Sequence, residues 1–283
     1  MKKSLLFTLL LTIPLLGFSQ EAPEEEAPKE GWTRAGNFSL LVNQSAFSNW
    51  AAGGEDNLSG TLGLNYDFNY AKGDITWDNR LVVAYGLTKL QGEDTQKTDD
   101  RLEFNSIFGK KAKGYWYYSW FFNLKTQMDV GYDPDTDLEI SHGFSPLYIQ
   151  TGPGMLWKKS DNLYVNIAPI TPRVILVHDH FTEFGESFGV EQGETMRFEF
   201  GASIEAYYKV TLMENVTMEN ILKLYSDYLE DPQNVDIDYT MNVVMQINKY
   251  LSANLSFQTI YDDNAYRGFQ IREVFGLGVN FGF

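Results

Sequence analysis

The chain has 283 residues, with 38 Asp and Glu against 22 Lys and Arg, a formal charge of −16, three His and no Cys. That balance excludes the basic face that phosphate binding needs, and with it nucleic acid as a partner; the lack of Cys excludes a disulfide framework, a thiolate zinc site and a cysteine nucleophile. At 43% hydrophobic residues the chain is too polar for a bundle of membrane helices, yet it is rich in aromatics, with 17 Tyr, 20 Phe and 6 Trp.

Lys2 and Lys3 precede an apolar run from Leu5 to Phe18, which ends on small residues at Gly17 and Ser19. This order predicts a secretory signal peptide over residues 1–19, cleaved before Gln20. The run is shorter than the ~20 residues of a spanning helix. Residues 20–31, rich in Glu, Ala and Pro, bury almost nothing and predict a disordered acidic leader.

From Trp32 onward apolar and polar residues alternate. Leu62, Leu64, Tyr66, Phe68 and Tyr70 interleave with Thr61, Gly63, Asn65, Asp67 and Asn69; Met196, Phe198 and Phe200 interleave with Arg197, Glu199 and Gly201. About twelve such runs lie near 36–47, 58–72, 75–89, 100–111, 115–130, 145–158, 163–177, 194–209, 215–229, 235–248, 250–262 and 270–283. Their length and period predict strands that cross a bilayer at a tilt, apolar outside and polar inside. Connections alternate between tight turns at 72–74, 112–114, 160–162 and 248–249 and longer linkers at 48–57, 90–99, 131–144, 178–193 and 262–269. Lysines such as Lys72, Lys113, Lys159 and Lys249 cluster at the tight turns, whereas Glu93, Asp133, Glu183 and Asp263 sit in the long linkers. Trp77, Trp116, Trp157 and Tyr250 lie beside the tight turns, where an aromatic girdle belongs. The predicted fold is all-β: a transmembrane antiparallel up-and-down β-barrel of about 12 strands over residues 32–283, in a bacterial outer membrane with the tight turns periplasmic. Pro169 and Pro172 leave ten or fourteen strands open.

Phe275, Leu277, Val279, Phe281 and Phe283 alternate with Gly276, Gly278, Asn280 and Gly282. A closing strand ending on an aromatic residue resembles the signal read by the outer-membrane insertion machinery, which makes that machinery and the surrounding lipid the first expected partners. In the first long linker, Asn49, Trp50, Gly53, Gly54 and Glu55 combine with Asn43, Phe47 and Gly60. This pattern resembles N-x-x-x-F-x-N-W-x-x-G-G-E, the hallmark of an outer-membrane family of gliding and gut-type Gram-negative bacteria known as a domain of unknown function. The resemblance implies location and fold but no activity. Trp50 wants an apolar pocket and an acceptor for its indole N–H, so the linker is expected either to fold inward and constrict the barrel or to form a plain hairpin turn.

The rows opposite the lipid face hold Asp67, Asp78, Arg80, Arg101 and Glu103, then Lys125, Asp129, Arg197, Glu199 and Glu205. A charge facing lipid at mid-depth costs ~2–4 kcal/mol for Arg or Lys, which assigns these residues to the lumen. Mixed signs there suit either a polar plug or a selective pore with acidic preference. No metal or cofactor is expected. The nearest candidates are Asp133, Asp135 and Asp137, an outer acidic loop suited to Ca²⁺ but lacking the Gly and Glu of a helix-loop-helix site, and His178 with His180, a pair suited to Zn²⁺. Ser141, His142 and Ser145 are the nearest approach to a hydrolytic pair, without a G-x-S-x-G elbow, so no enzyme activity is expected. The function expected is a narrow channel for small polar solutes; the alternatives are a non-conducting accessory barrel of an envelope export or assembly complex and, least favoured, a lipid hydrolase.

Overall fold

The computed structural model describes residues 30–46, 56–133 and 136–283. Residues 1–29, which hold the signal segment and most of the leader, and with them Phe47, Asn49, Trp50, Gly53, Gly54, Glu55 and Asp135, lie outside the described residues; Gly31, expected as the last leader residue, instead opens the first strand.

The first five strands are β1 (Gly31–Ser45), β2 (Asn57–Lys72), β3 (Ile75–Leu90), β4 (Thr95–Lys113) and β5 (Trp116–Thr126). Two short strands, β6 (Gly131–Tyr132) and β7 (Glu139–Ser141), pair only with each other. Next come β8 (Leu147–Ser160), β9 (Leu163–Leu176) and one helical turn, α1 (Asp179–Thr182). The chain then forms β10 (Met196–Met213), β11 (Val216–Asp227), β12 (Asp236–Gln246), β13 (Leu251–Asp262) and β14 (Tyr266–Gly282). The twelve long strands pair antiparallel with their sequence neighbours, and β1 pairs with β14, so the sheet is a closed barrel. Closure leaves no unpaired sheet edge, the condition for a sheet to sit in hydrocarbon.

Alternation decides which way each side chain points. In β14, Phe275 (56% exposed), Leu277 (62%) and Phe281 (57%) face outward, and Phe38, Leu40 and Val42 of β1 lie beside them in register. Trp32, Phe68, Phe104 and Phe122 continue around the outside as an aromatic row with ring centroids 6.2–6.4 Å apart. An apolar surface of this extent is stable only against lipid.

The short turns at 73–74, 114–115, 161–162 and 214–215 lie at one end of the barrel. Gly73, Gly114 and Asn215 take φ of 55°, 59° and 64° there, which lets the two-residue turns follow the twist of the sheet. Trp32 and Trp77 stand 5.7 Å apart on the outside at this end, and Trp116 pairs with Trp157.

Several expected boundaries move; β1, expected from residue 36, already starts at Gly31. The linkers expected at 90–99 and 262–269 shrink to 91–94 and 263–265, because β4 and β14 run on past the apolar stretch. There the strands leave lipid, both faces are wet, and ladder pairing continues without alternation, as in Thr88–Gln96 and Lys89–Thr95. Conversely, β5 stops at Thr126 rather than near 130. The Asp100 carboxylate takes the Met128 and Asp129 N–H groups at 2.8 and 2.9 Å, ending the ladder. Asp129 is therefore a loop residue, not a lumen residue; it accepts from the Tyr85 hydroxyl at 2.5 Å, which holds its carboxylate below the usual range.

The prolines distort the barrel without changing its strand count. Register slips between Gly201 and Ser203, opposite the Pro169 region of β9. The freed carbonyls are taken by side chains: Thr171 Oγ1 donates to Ala168 at 2.9 Å and the Tyr228 hydroxyl to Pro169 at 3.1 Å. At Gly201 a Cβ would collide with the Ser226 carbonyl, so the crowded bulge requires glycine.

Candidate functional site: the lumen

Inward-facing side chains fill much of the barrel. Arg80 of β3 is the central residue. Its Nε meets Asp67 at 2.7 Å, one Nη meets Glu219 of β11 at 3.1 Å, and the other donates to the Tyr207 hydroxyl at 3.1 Å. β3 and β11 occupy opposite positions in the ring of strands, so Arg80 and Glu219 span the full width of the lumen. Tyr207 completes the crossing: its hydroxyl donates to Glu219 at 2.7 Å and its ring lies 4.6 Å below the guanidinium. Tyr164 stacks on Tyr207 at 5.2 Å and donates to Glu205 at 3.0 Å.

Further pairs cross at other depths. Lys223 of β11 contacts Glu103 of β4, which also accepts from Asn105 and Asn123. Lys125 of β5 meets Asp238 of β12 at 2.7 Å. Lys158 holds Asp78 at 2.7 Å near the short turns. Toward the long-loop end, the fully buried Glu199 accepts from Arg173 and, at 2.8 Å, from Arg197; Arg173 also reaches Asp236 at 2.7 Å. Arg272 of β14 contacts Asp99 of β4. Burial of such pairs is tolerated because each carboxylate finds charged donors. On the β4–β5–β8–β9 wall an apolar patch of Ile107, Phe121, Leu156 and Ala168 replaces charge.

Sequence reasoning missed Arg173, Arg272, Lys158 and Asp99. Arg272 was recoverable by extending the alternation of β14 four residues back from Gly276; Asp99 was hidden in a presumed linker, and Arg173 by the prolines that break parity. The inward apolar patch carries no comparable signal.

The space left over is asymmetric. A cavity of about 460 Å³ runs along the β13–β14–β1–β2 wall from Gly36, Lys209, Thr217 and Gln246 at the short-turn end to Asp99, Arg101 and Arg272. Small inner residues, Ser39, Gly63, Ala84 and Asn280, keep it open. A cavity of about 280 Å³ shares Asp99, Arg101 and Arg272 with it and extends to Tyr148; another of about 270 Å³ shares Tyr148 and Lys125 and reaches Phe188 and Asp262 at the mouth.

The mouth is narrowed by residues 177–195. Val177 and Val190 pack on Ile175, with Phe181, Phe188 and Tyr148 around them. Arg197 donates to the Gly189 carbonyl at 3.0 Å, and the His178 N–H to Ser145 Oγ at 2.9 Å. His142 Nδ1 meets the Gly143 carbonyl at 2.9 Å, and no hydrogen bond joins the His142 ring to Ser145 Oγ among the described residues.

The three histidines gather around Phe181: His142 and His178 lie 5.0 Å apart and His180 is 5.4 Å from the Phe181 ring. Asp133 Oδ1 accepts from the Thr136 N–H and hydroxyl at 2.9 and 2.8 Å, building a turn that carries Asp137 at φ 55°. The carboxylates that do converge are Asp236, Asp262 and Asp263, whose oxygens lie within 4.8 Å of one another; they come from distant stretches of the chain and no spacing announces them.

A closed barrel with an apolar outside and a charged, partly open inside defines a transmembrane β-barrel protein. Residues 42–132 match a family described as "Protein of unknown function (DUF3078)". No curated protein matches the chain. Among solved structures, the COG4313 outer membrane channel from Pseudomonas putida F1 is similar, with 11% identity, TM-score 0.39, and 93% of this chain and 99% of that chain covered. So is the translocator domain of the autotransporter NalP from Neisseria meningitidis, with 9% identity, TM-score 0.35, and 90% and 89% covered. The outer membrane channel DcaP of Acinetobacter baumannii gives 10% identity, TM-score 0.34, and 89% and 96% covered.

Proposed function

We propose that this protein is a narrow channel of the bacterial outer membrane for small polar solutes, inserted through its aromatic closing strand with Phe275, Phe281 and Phe283. The observation that carries the reading is the 460 Å³ cavity, which passes along one wall beside the ion pairs instead of being crossed by Arg80 and Glu219. A barrel meant only as a scaffold gains nothing from small residues on one inner wall, since filling that space with side chains adds packing. The constriction expected of Asn49, Trp50, Gly53, Gly54 and Glu55, which lie outside the described residues, is a proposed part of this reading.

The test is ion conductance across a planar bilayer holding the folded full-length protein. Small, discrete conductance steps are expected, altered by Trp50→Ala. Silent bilayers with folded protein would exclude the channel and leave the accessory barrel of an envelope complex, for which the crossing ion pairs act as a plug; co-purifying partners in mild detergent would then be expected.

A further inference from the structure

Arg101 differs from the other cations at mid-depth. Arg80 is held by Asp67 and Glu219, Lys223 by Glu103, Lys125 by Asp238 and Arg272 by Asp99. No carboxylate of the described residues lies within ion-pair distance of Arg101, and its Nε is buried with no hydrogen-bond partner. Three acids lie near it on its own strand, and each is already engaged: Asp100 by Lys97 and the Met128 and Asp129 N–H groups, Asp99 by Arg272, and Glu103 by Lys223, with Arg101 acting on Glu103 only through its field. Lys209 also lacks an ion pair, but it is exposed at the short-turn end.

Position adds a second, independent observation. Arg101 lines the 460 Å³ passage, the 280 Å³ cavity beyond it and a central space of about 50 Å³, so three cavities meet at this guanidinium. Arg272 and Lys125 also line the 280 Å³ cavity. Arg101 is half-buried, and a buried Nε–H without an acceptor is costly; the planar fork of guanidinium N–H donors matches carboxylate and phosphate oxygens. Glu205, which also lines the 50 Å³ space and has no ion pair among the described residues, accepts from the Tyr164 hydroxyl at 3.0 Å, whereas Arg101 Nε has no partner.

We propose that Arg101 is the centre of a binding site for a small oxyanion, a carboxylate or a phosphate, flanked by Arg272 and Lys125. The site deepens the channel reading: transit of the anion rests on that reading, whereas binding is measurable on the folded barrel alone.

The experiment is titration calorimetry of the folded full-length protein in detergent micelles with succinate and, separately, inorganic phosphate. Saturable binding of at least one anion is expected, weakened about tenfold or more by Arg101→Gln and less by Arg101→Lys, with Lys159→Gln on the outer face as an unchanged control. Binding of succinate alone assigns a carboxylate site; binding of phosphate alone assigns a phosphate site. No saturable binding of either anion, or equal binding by wild type and Arg101→Gln, overturns the proposal. Should Arg101→Gln fail to fold, Arg101→Lys carries the comparison, since it keeps the charge and loses the fork; unchanged affinity there is then the overturning result. Silent bilayers alongside Arg101-dependent binding would remove the channel and keep the site; conducting bilayers without binding would do the reverse.

Discussion

At the scale of single residues, the lumen is a set of charges that hold one another. Arg80 illustrates the trade between stability and opening. Replacing it with Ala removes the bridge across the barrel and leaves Asp67 and Glu219 without their cation. All three side chains retain 23–33% exposure to the lumen, so the loss is screened and should be about 1–3 kcal/mol, below that for a sealed pair. Arg80→Ala is expected to lower the denaturant midpoint and raise unit conductance; a lowered midpoint with unchanged conductance would show that the Arg80 level does not limit the current. Glu199 is the contrasting case. It is 0% exposed and serves Arg173 and Arg197 together, so Glu199→Gln leaves Arg173 with Asp236 and Arg197 with Glu230 as their charged partners and a neutral acceptor between them. A loss of about 2 kcal/mol is expected in urea unfolding, less than for a pair whose partner is left wholly uncompensated, along with loosening of the 177–195 segment that Arg197 ties down through Gly189. Protease cleavage of that segment in the folded variant reads the second effect.

At the scale of elements, what was legible follows the environment each strand meets. Wherever a strand is bathed by lipid on one side and water on the other, parity alone assigned its residues, as for Arg197 and Glu199 in β10. Legibility failed where that contrast ends. Thr95–Asp99 and Tyr266–Phe269 read as linkers because both their faces are wet, yet they pair in the sheet. In β9 the prolines shift parity, and Arg173 went unassigned. Loops carry no such contrast at all: the contacts of 177–195 with Tyr148 depend on a fold that brings together residues about thirty or more positions apart. The β1–β14 seam is the most consequential element. Gly36 and Phe283 exchange N–H···O bonds of 2.9 and 3.0 Å, and the Phe283 ring lies over Gly36 and stacks on Tyr66 at 5.9 Å. Deleting Phe283 removes both bonds and the ring that covers them. Barrel assembly into lipid vesicles, followed by gel mobility of the unheated protein, should slow several-fold, while Phe281→Leu, which keeps the seam bonds, should be nearly normal.

At the scale of the whole molecule, the sign of charge tracks the two ends of the barrel, and this asymmetry bears on orientation. Lys72, Lys113, Lys159 and Lys249 surround the short turns, close to where Trp32, Trp77 and Trp116 would meet the membrane interface. Juxtamembrane lysines gain about 1 kcal/mol each beside anionic headgroups, and short turns are the periplasmic mark of outer-membrane barrels. The long-loop end carries the acidic cluster of Asp236, Asp262 and Asp263 and the folded-in segment 177–195, as an outward-facing mouth would. Both lines predict that the short turns lie on the periplasmic side and the 177–195 segment on the outside. The absence of native Cys makes the assignment directly measurable, because any introduced thiol is the only one. Glu186→Cys, in the exposed part of 177–195, should react with a membrane-impermeant maleimide on intact cells. Asp161→Cys, at a turn whose side chain is 79% exposed, should react only after the outer membrane is breached. The opposite labelling pattern would invert the barrel, and with it the direction in which an anion arriving at Arg101 meets the 280 Å³ cavity before the 460 Å³ passage.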